Sequence, residues 1–182
     1  MSQTERRVPP NSVDREAFRD MCRKFAEREI KPRWQQADRE ARFPREFFVA
    51  AAKAGLIGLH APESMGGADL GVTEEAISVE EQAKANPNLA IMALIQGVAG
   101  SLLAEHGHSV HHDLVRANCA GDCLLALAVT EPEAGSDVQN LKTTATRDGD
   151  EWVLDGIKSF ITLGGDCDTM LVLARTDPTQ GR

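Results

Sequence analysis

The sequence predicts an α+β protein, with an all-helical domain first and an antiparallel β-domain after it. Two observations carry this. Between residues 12 and 121, apolar residues recur at helical spacing between capping residues and helix breakers. Beyond Gly121 the period shortens, and Asp148-Gly149 and Asp155-Gly156 punctuate strand-like runs. The change of character falls on the stretch from Leu124 to Asp137. It starts as the apolar run of a buried strand and breaks into a polar loop. Such a loop, carried on rigid β-structure, suits ligand binding.

Taken in order, residues 1–11 are polar, contain Pro9-Pro10, and read as a flexible tail. A helical domain over 12–121 and a partial β-domain over 122–182 follow. Ser12 is positioned to cap a helix whose dry face carries Val13, Phe18, Met21, Cys22, Phe25 and Ile30. Pro32 interrupts it near Lys31, and Trp34 and Ala37 continue it. Pro44 opens a second helix with Phe47, Phe48, Ala51 and Ala52, and Gly55 stops it. The loop at Gly66-Gly67 is too glycine-rich to be helical.

Thr73 suits the cap of the next helix, with Glu74 and Glu75 in its dipole-favoured first turn, and Asn86-Pro87 ends it. The acidic residues Glu74, Glu75, Glu80 and Glu81 read as a solvated helix face. From Asn88 to His106 runs the most apolar helix, expected to be buried on several sides or to face a subunit partner. Gly107 closes it, and Ser109 caps a last helix reaching about Asn118. Strands are then expected over residues 142–147, 151–154, 157–163 and 169–175.

Composition narrows the function classes. The net charge of −8 argues against a nucleic-acid role driven by a basic surface. No uninterrupted apolar run approaches the roughly 20 residues of a membrane helix, so no membrane span is expected. The opening residues Met1 to Arg7 lack the apolar core of a secretory signal, and a cytoplasmic setting is the simplest expectation. The four cysteines, Cys22, Cys119, Cys123 and Cys167, include no C-x-x-C pair and read as reduced structural thiols.

The run Thr130-Glu131-Pro132-Glu133-Ala134-Gly135-Ser136-Asp137 resembles the flavin-site motif of the acyl-CoA dehydrogenase family, where a strand ends in Val-Thr-Glu-Pro before a small-Gly-Ser-Asp loop. Downstream, Trp152 to Thr162 resembles the family's second flavin-contacting segment, and its G-x-K-x-[WF]-I-T-x-G pattern runs from Gly156 to Gly164. Upstream, the loop Pro62-Glu63-Ser64-Met65-Gly66-Gly67 after Leu56-Ile57-Gly58-Leu59 is similar to the family's. The likeness extends from Val13 to Arg175, and two segments at the expected separation are far more specific than either alone.

The resemblance implies a barrel-like β-domain that continues for several more strands, and a C-terminal helical domain that is absent from these 182 residues. It implies FAD-dependent α,β-dehydrogenation of acyl-CoA thioesters, with a flavin monooxygenase or oxidase on the same scaffold, or a non-catalytic module needing a partner chain, as alternatives. It also implies homo-oligomers and electron-transferring flavoprotein as the electron acceptor. Leu127, Val129 and Thr130 would contact the isoalloxazine, and Gly135 would let the backbone approach closely. Ser136 would bond the cofactor or the substrate's pantetheine arm, Phe160 would pack on the flavin, and Thr162 would lie near N5. A polar loop beside the flavin's pyrimidine end suits the negative charge that develops on reduction. Taken singly, Thr130 and Phe160 read more readily as an ordinary turn threonine and a core aromatic, and only the two matching segments together reverse that.

The family's catalytic base is a glutamate of its C-terminal domain, so none is assigned here and the chain alone is expected to be inactive. Glu131 is expected to hydrogen-bond within its loop and Glu133 to be solvated. His106, His108, His111 and His112 include an i, i+4 pair but match no recognised zinc pattern, so they read as a solvated turn and no metal is assigned.

Overall fold

Asp14 opens the first helix: its carboxylate accepts the N–H groups of Glu16 and Ala17 at 3.0 and 3.2 Å. Helix α1 (Arg15–Phe25) therefore begins beyond the expected Ser12 cap. Ser12, Val13 and the 1–11 segment lie outside residues 14–177, which the computed structural model describes. The chain then widens into a π-turn over Ala26–Ile30 and stops at Lys31, as Pro32 requires. Short α2 (Trp34–Arg39) and α3 (Arg45–Lys53) follow, and Gly55 ends α3 at φ +70°.

Thr73 is not the cap of α4 (Val72–Ala85). Gly71 holds that position, and the Glu74 carboxylate reaches back to the Gly71 N–H at 3.2 Å. A carboxylate three residues inside the helix takes the N–H of the cap residue itself, the reciprocal half of a capping box. The acidic face of α4 is solvated only in part: Glu80 is exposed, but Glu74 and Glu81 are buried. Glu81 is only 1% exposed and is held by Arg19, Arg23 and Lys84 at 2.7, 3.2 and 2.8 Å. The Lys84 bond, with those of Arg19 and Arg23, outweighs burial and brings its carboxyl down to about 2. Glu74 is buried against Arg15.

Asn86 accepts the Leu89 N–H at 2.9 Å, so α5 (Pro87–His106) takes Pro87 into its first turn. Its buried positions are mostly small: Leu89, Ala90, Ala93, Gln96, Gly97, Ala99 and Gly100, packed toward α4 and α6. Ile91 and Leu102 stay exposed, so burial on several sides does not hold within this chain. By length and composition α5 does meet the bare criteria of a membrane span, which reading uninterrupted runs missed. Buried Gln96 accounts for part of its interior packing: its Oε1 accepts from Asn118 Nδ2 at 2.9 Å. The last helix is capped by neither Ser109 nor any other side chain. A single 3₁₀ turn over Ser109–His111 leads into α6 (His112–Ala120), and Gly121 closes it at φ +87°.

The described residues fall into two compact units that meet between Leu124 and Leu125. In the helical unit, Phe25 and Phe47 stack tilted with ring centroids 6.0 Å apart, beside buried Ile30 and Phe48. Met65 of the glycine-rich loop packs with Ala61, Val115 and Cys119. At Gly67 a Cβ would lie 2.1 Å from the Ala61 carbonyl oxygen, so the loop closes only on a glycine. All four cysteines are free thiols.

The β-unit departs from the expected antiparallel, barrel-like sheet. Strands β2 (Thr144–Asp148) and β3 (Glu151–Asp155) form the antiparallel hairpin that Asp148-Gly149 predicts. Strand β1 (Leu125–Ala128), however, pairs in parallel with β4 (Thr169–Val172), Leu125 opposite Thr169. A parallel pair needs a long crossover, and the polar loop and the hairpin together supply it. Residues 157–163 are irregular, bending at Phe160 and entering a turn at Thr162, where a strand was expected. Phe160 and Leu163 adopt φ +57° and +66°, values no extended strand tolerates.

Candidate functional site

Strand β1 delivers the polar loop. Leu125, Ala126 and Ala128 are buried, and Leu127 is half-buried. Past the strand, Glu131 and Ala134 exchange two backbone hydrogen bonds of 2.9 and 3.2 Å, which close a tight turn around Pro132 and Glu133. Pro132 suits such a turn because its φ is already set.

The Glu131 side chain turns inward and is buried. Its Oε2 accepts the Lys142 N–H at 2.6 Å, and its Oε1 accepts the Thr143 N–H and the Lys158 ammonium, both at 2.9 Å. Burial alone would push this carboxyl up; bonds from Thr143, Lys142 and Lys158 overcome it and bring it down to about 2. Glu131 is thus an ionised structural anchor; its backbone bonds within the loop as expected, but its side chain reaches out of the loop to Lys142, Thr143 and Lys158. Glu133 is exposed and pairs with the Lys142 ammonium.

The second segment is drawn to the first by consecutive residues. Lys158 Nζ donates to the Val129 carbonyl at 2.9 Å as well as to Glu131. The Ser159 N–H donates to the Thr130 carbonyl at 2.9 Å. Gly156 permits this approach: it sits at φ +152°, and a Cβ there would come 2.7 Å from Thr143 Cα. Arg175 holds the other side of the segment that bears Thr143, donating through Nε to the Leu141 carbonyl at 2.7 Å.

The residues singled out from the sequence are distributed as follows. Val129 and Thr130 are half-buried at the strand end, and Thr162 is half-buried in the second segment. Gly135 and Ser136 are exposed, and a Cβ at Gly135 would meet no protein atom within 4 Å. Phe160 is 94% exposed, turned out by its left-handed backbone. Non-glycine residues in that region are uncommon and cluster at ligand sites. Thr130 and Phe160 are brought together, each at or next to the Ser159–Thr130 bond. Sequence reading missed Lys158 as a site residue, although it stands in the quoted G-x-K pattern.

In the helical unit, His60 is gripped at both ring nitrogens, by the Leu70 carbonyl at 3.0 Å and the Glu75 carboxylate at 2.5 Å. The four clustered histidines are exposed or half-exposed, and His111 Nδ1 accepts the His108 N–H at 3.1 Å.

Sequence models of two domains match the chain: acyl-CoA dehydrogenase, N-terminal domain, over residues 12–113, and acyl-CoA dehydrogenase, middle domain, over residues 126–182. Cyclohex-1-ene-1-carbonyl-CoA dehydrogenase of Geobacter metallireducens is 39% identical over 165 residues, covering 89% of this chain and 43% of that protein. The mitochondrial long-chain specific acyl-CoA dehydrogenase of Rattus norvegicus is 34% identical over 167 residues, covering 91% of this chain and 39% of that protein. A glutaryl-CoA dehydrogenase of Mycobacterium smegmatis, solved in complex with FADH2, superposes with a TM-score of 0.85 at 25% identity, covering 92% of this chain and 44% of that one. The chain thus spans less than half the length of these relatives.

Proposed function

Because this chain belongs to the acyl-CoA dehydrogenase family, we propose that it holds FAD for the α,β-dehydrogenation of an acyl-CoA thioester. The observation that carries the reading is the join between two separate segments, Thr130 to Asp137 and Gly156 to Gly164, through the Ser159–Thr130 bond. The residues there suit a flavin. Phe160 offers an exposed aromatic face, Thr130 and Ser136 offer hydroxyls, and the space beside Gly135 is open to a close approach.

The chemistry FAD would supply here is acceptance of the hydride from the substrate's β-carbon. The chain's own residues bind and orient. Leu127, Val129 and Thr130 would line the isoalloxazine, Phe160 would pack against it, Thr162 would lie beside its reactive edge, and Ser136 would bond the cofactor or the pantetheine arm. Glu131 does not remove the substrate proton. Its carboxylate is filled by three donors and too acidic to serve as a base near neutral pH. By the same reading the base would come from outside these 182 residues, and the chain would act as a homo-oligomer or with a complementing chain. Electron-transferring flavoprotein as acceptor and a cytoplasmic setting belong to the same reading.

The test is retention of flavin. After incubation with FAD and gel filtration, the chain should carry a visible flavin band shifted from that of free FAD. A colourless protein that is folded by circular dichroism would reject the reading for this chain.

A further inference from the structure

We propose that Lys158 is the positioning residue that sets the two flavin segments in register; this rests on the flavin reading above. Three consecutive residues of the first segment are held by two consecutive residues of the second. The Lys158 ammonium takes the Val129 carbonyl and the Glu131 carboxylate, each at 2.9 Å, and the Ser159 N–H takes the intervening Thr130 carbonyl, also at 2.9 Å. Thr130 is thereby fixed from both flanks and from its own backbone.

The pair is dry, with Lys158 and Glu131 side chains 10% and 5% exposed. Removing one member of such a pair leaves the other charge without its partner, so the grip has no inexpensive substitute. Glu131 is in turn tied to the Lys142 and Thr143 N–H groups at 2.6 and 2.9 Å, so Lys158 is anchored to the start of the hairpin and cannot drift with the loop. Two residues beyond Lys158 the backbone turns left-handed and presents Phe160 to solvent. The position of that ring relative to Thr130 is therefore set through Lys158 and Ser159. Lys142 offers a contrast: its side chain is 71% exposed and its ammonium pairs with exposed Glu133.

The experiment compares the full chain with its Lys158→Met, Lys158→Arg and Lys142→Met variants, by FAD titration and by hydrogen exchange of the Ser159 amide. Lys158→Met should weaken FAD binding about ten-fold or more, the loss expected of one charge-assisted hydrogen bond. Lys158→Arg, which keeps two donors in reach, should stay within about three-fold of wild type. Lys142→Met should leave FAD binding unchanged, which separates positioning from a general loss of positive charge. The Ser159 amide should exchange faster in Lys158→Met only. Unchanged FAD affinity in Lys158→Met, or equal losses in both methionine variants, would overturn the proposal. If the wild-type chain takes no FAD, the flavin reading falls by itself. The register claim is then decided by exchange: unaltered Ser159 protection in Lys158→Met rejects it, and selective loss of protection upholds it.

Discussion

At the scale of single residues, ionised side chains hold loops in both units, and their protonation gives opposite pH signatures. Glu131 has a folded-state carboxyl near 2 against an ordinary value of 4.5. A depressed carboxyl stabilises above the ordinary value and loses that contribution as pH falls through the folded one. Glu131→Gln should therefore lower the thermal midpoint at pH 7, and the gap from wild type should narrow between about pH 4.5 and 2, as followed by circular dichroism. His60 behaves inversely. The Glu75 bond raises its pKa against the opposing effect of burial, with the Leu70 carbonyl adding to the rise. Its contribution is complete below about 6.5 and disappears as pH rises through the elevated value. Thermal midpoints measured from pH 5 to 9 should show a loss on the alkaline side that His60→Gln abolishes.

Residue roles were unevenly legible in the sequence. Glu131 stands between a strand and a proline turn, and its hydrogen-bonding role follows from that position. Its partner Lys158 was hidden, because the burial of a lysine leaves no mark on a periodicity. Phe160 and Leu163 were hidden for another reason: a glycine advertises a left-handed turn, whereas phenylalanine and leucine argue for a strand.

At the scale of elements, helix ends show how close a sequence reading comes. Asn86-Pro87 was correctly read as a break, and the structure shows it also starting α5, since the Asn86 side chain caps Leu89 at 2.9 Å. Asn86→Ala should cost about 0.5–2 kcal/mol in urea unfolding, the usual loss for such a cap. Neither Thr73 nor Ser109 acts as a cap. Thr73 lies inside α4, where Gly71 holds the cap position and the Glu74 carboxylate takes its N–H, and α6 starts without a side-chain cap. Among strands, the hairpin was legible from a local turn signal. The β1–β4 pairing was not, because it joins residues more than 40 positions apart and parallel pairing has no turn residue to announce it. Leu125 lies at the start of that pairing and is fully buried, so Leu125→Ala should cost about 2–5 kcal/mol, by the same measurement.

At the scale of the whole molecule, the described residues divide into two compact units. The helical unit carries its own buried ion network around Glu81 and a loop closed on Gly67. The β-unit holds every residue proposed to contact the flavin. Helices followed by strands was readable from periodicity alone, whereas the sheet's mixed pairing emerges only from contacts far apart in sequence. The two candidate segments were readable in the sequence, and what joins them was not: the Lys158 ammonium on Val129 and Glu131, and the Ser159 amide on Thr130.

The central claim is that these two segments form a single flavin site. Titrating FAD into the isotopically labelled chain and following its assigned amide resonances tests this most directly. Resonances of both segments, Thr130 to Asp137 and Gly156 to Thr162, should shift together along one saturating curve. Shifts confined to one segment, or falling mainly in the helical unit, would contradict the claim.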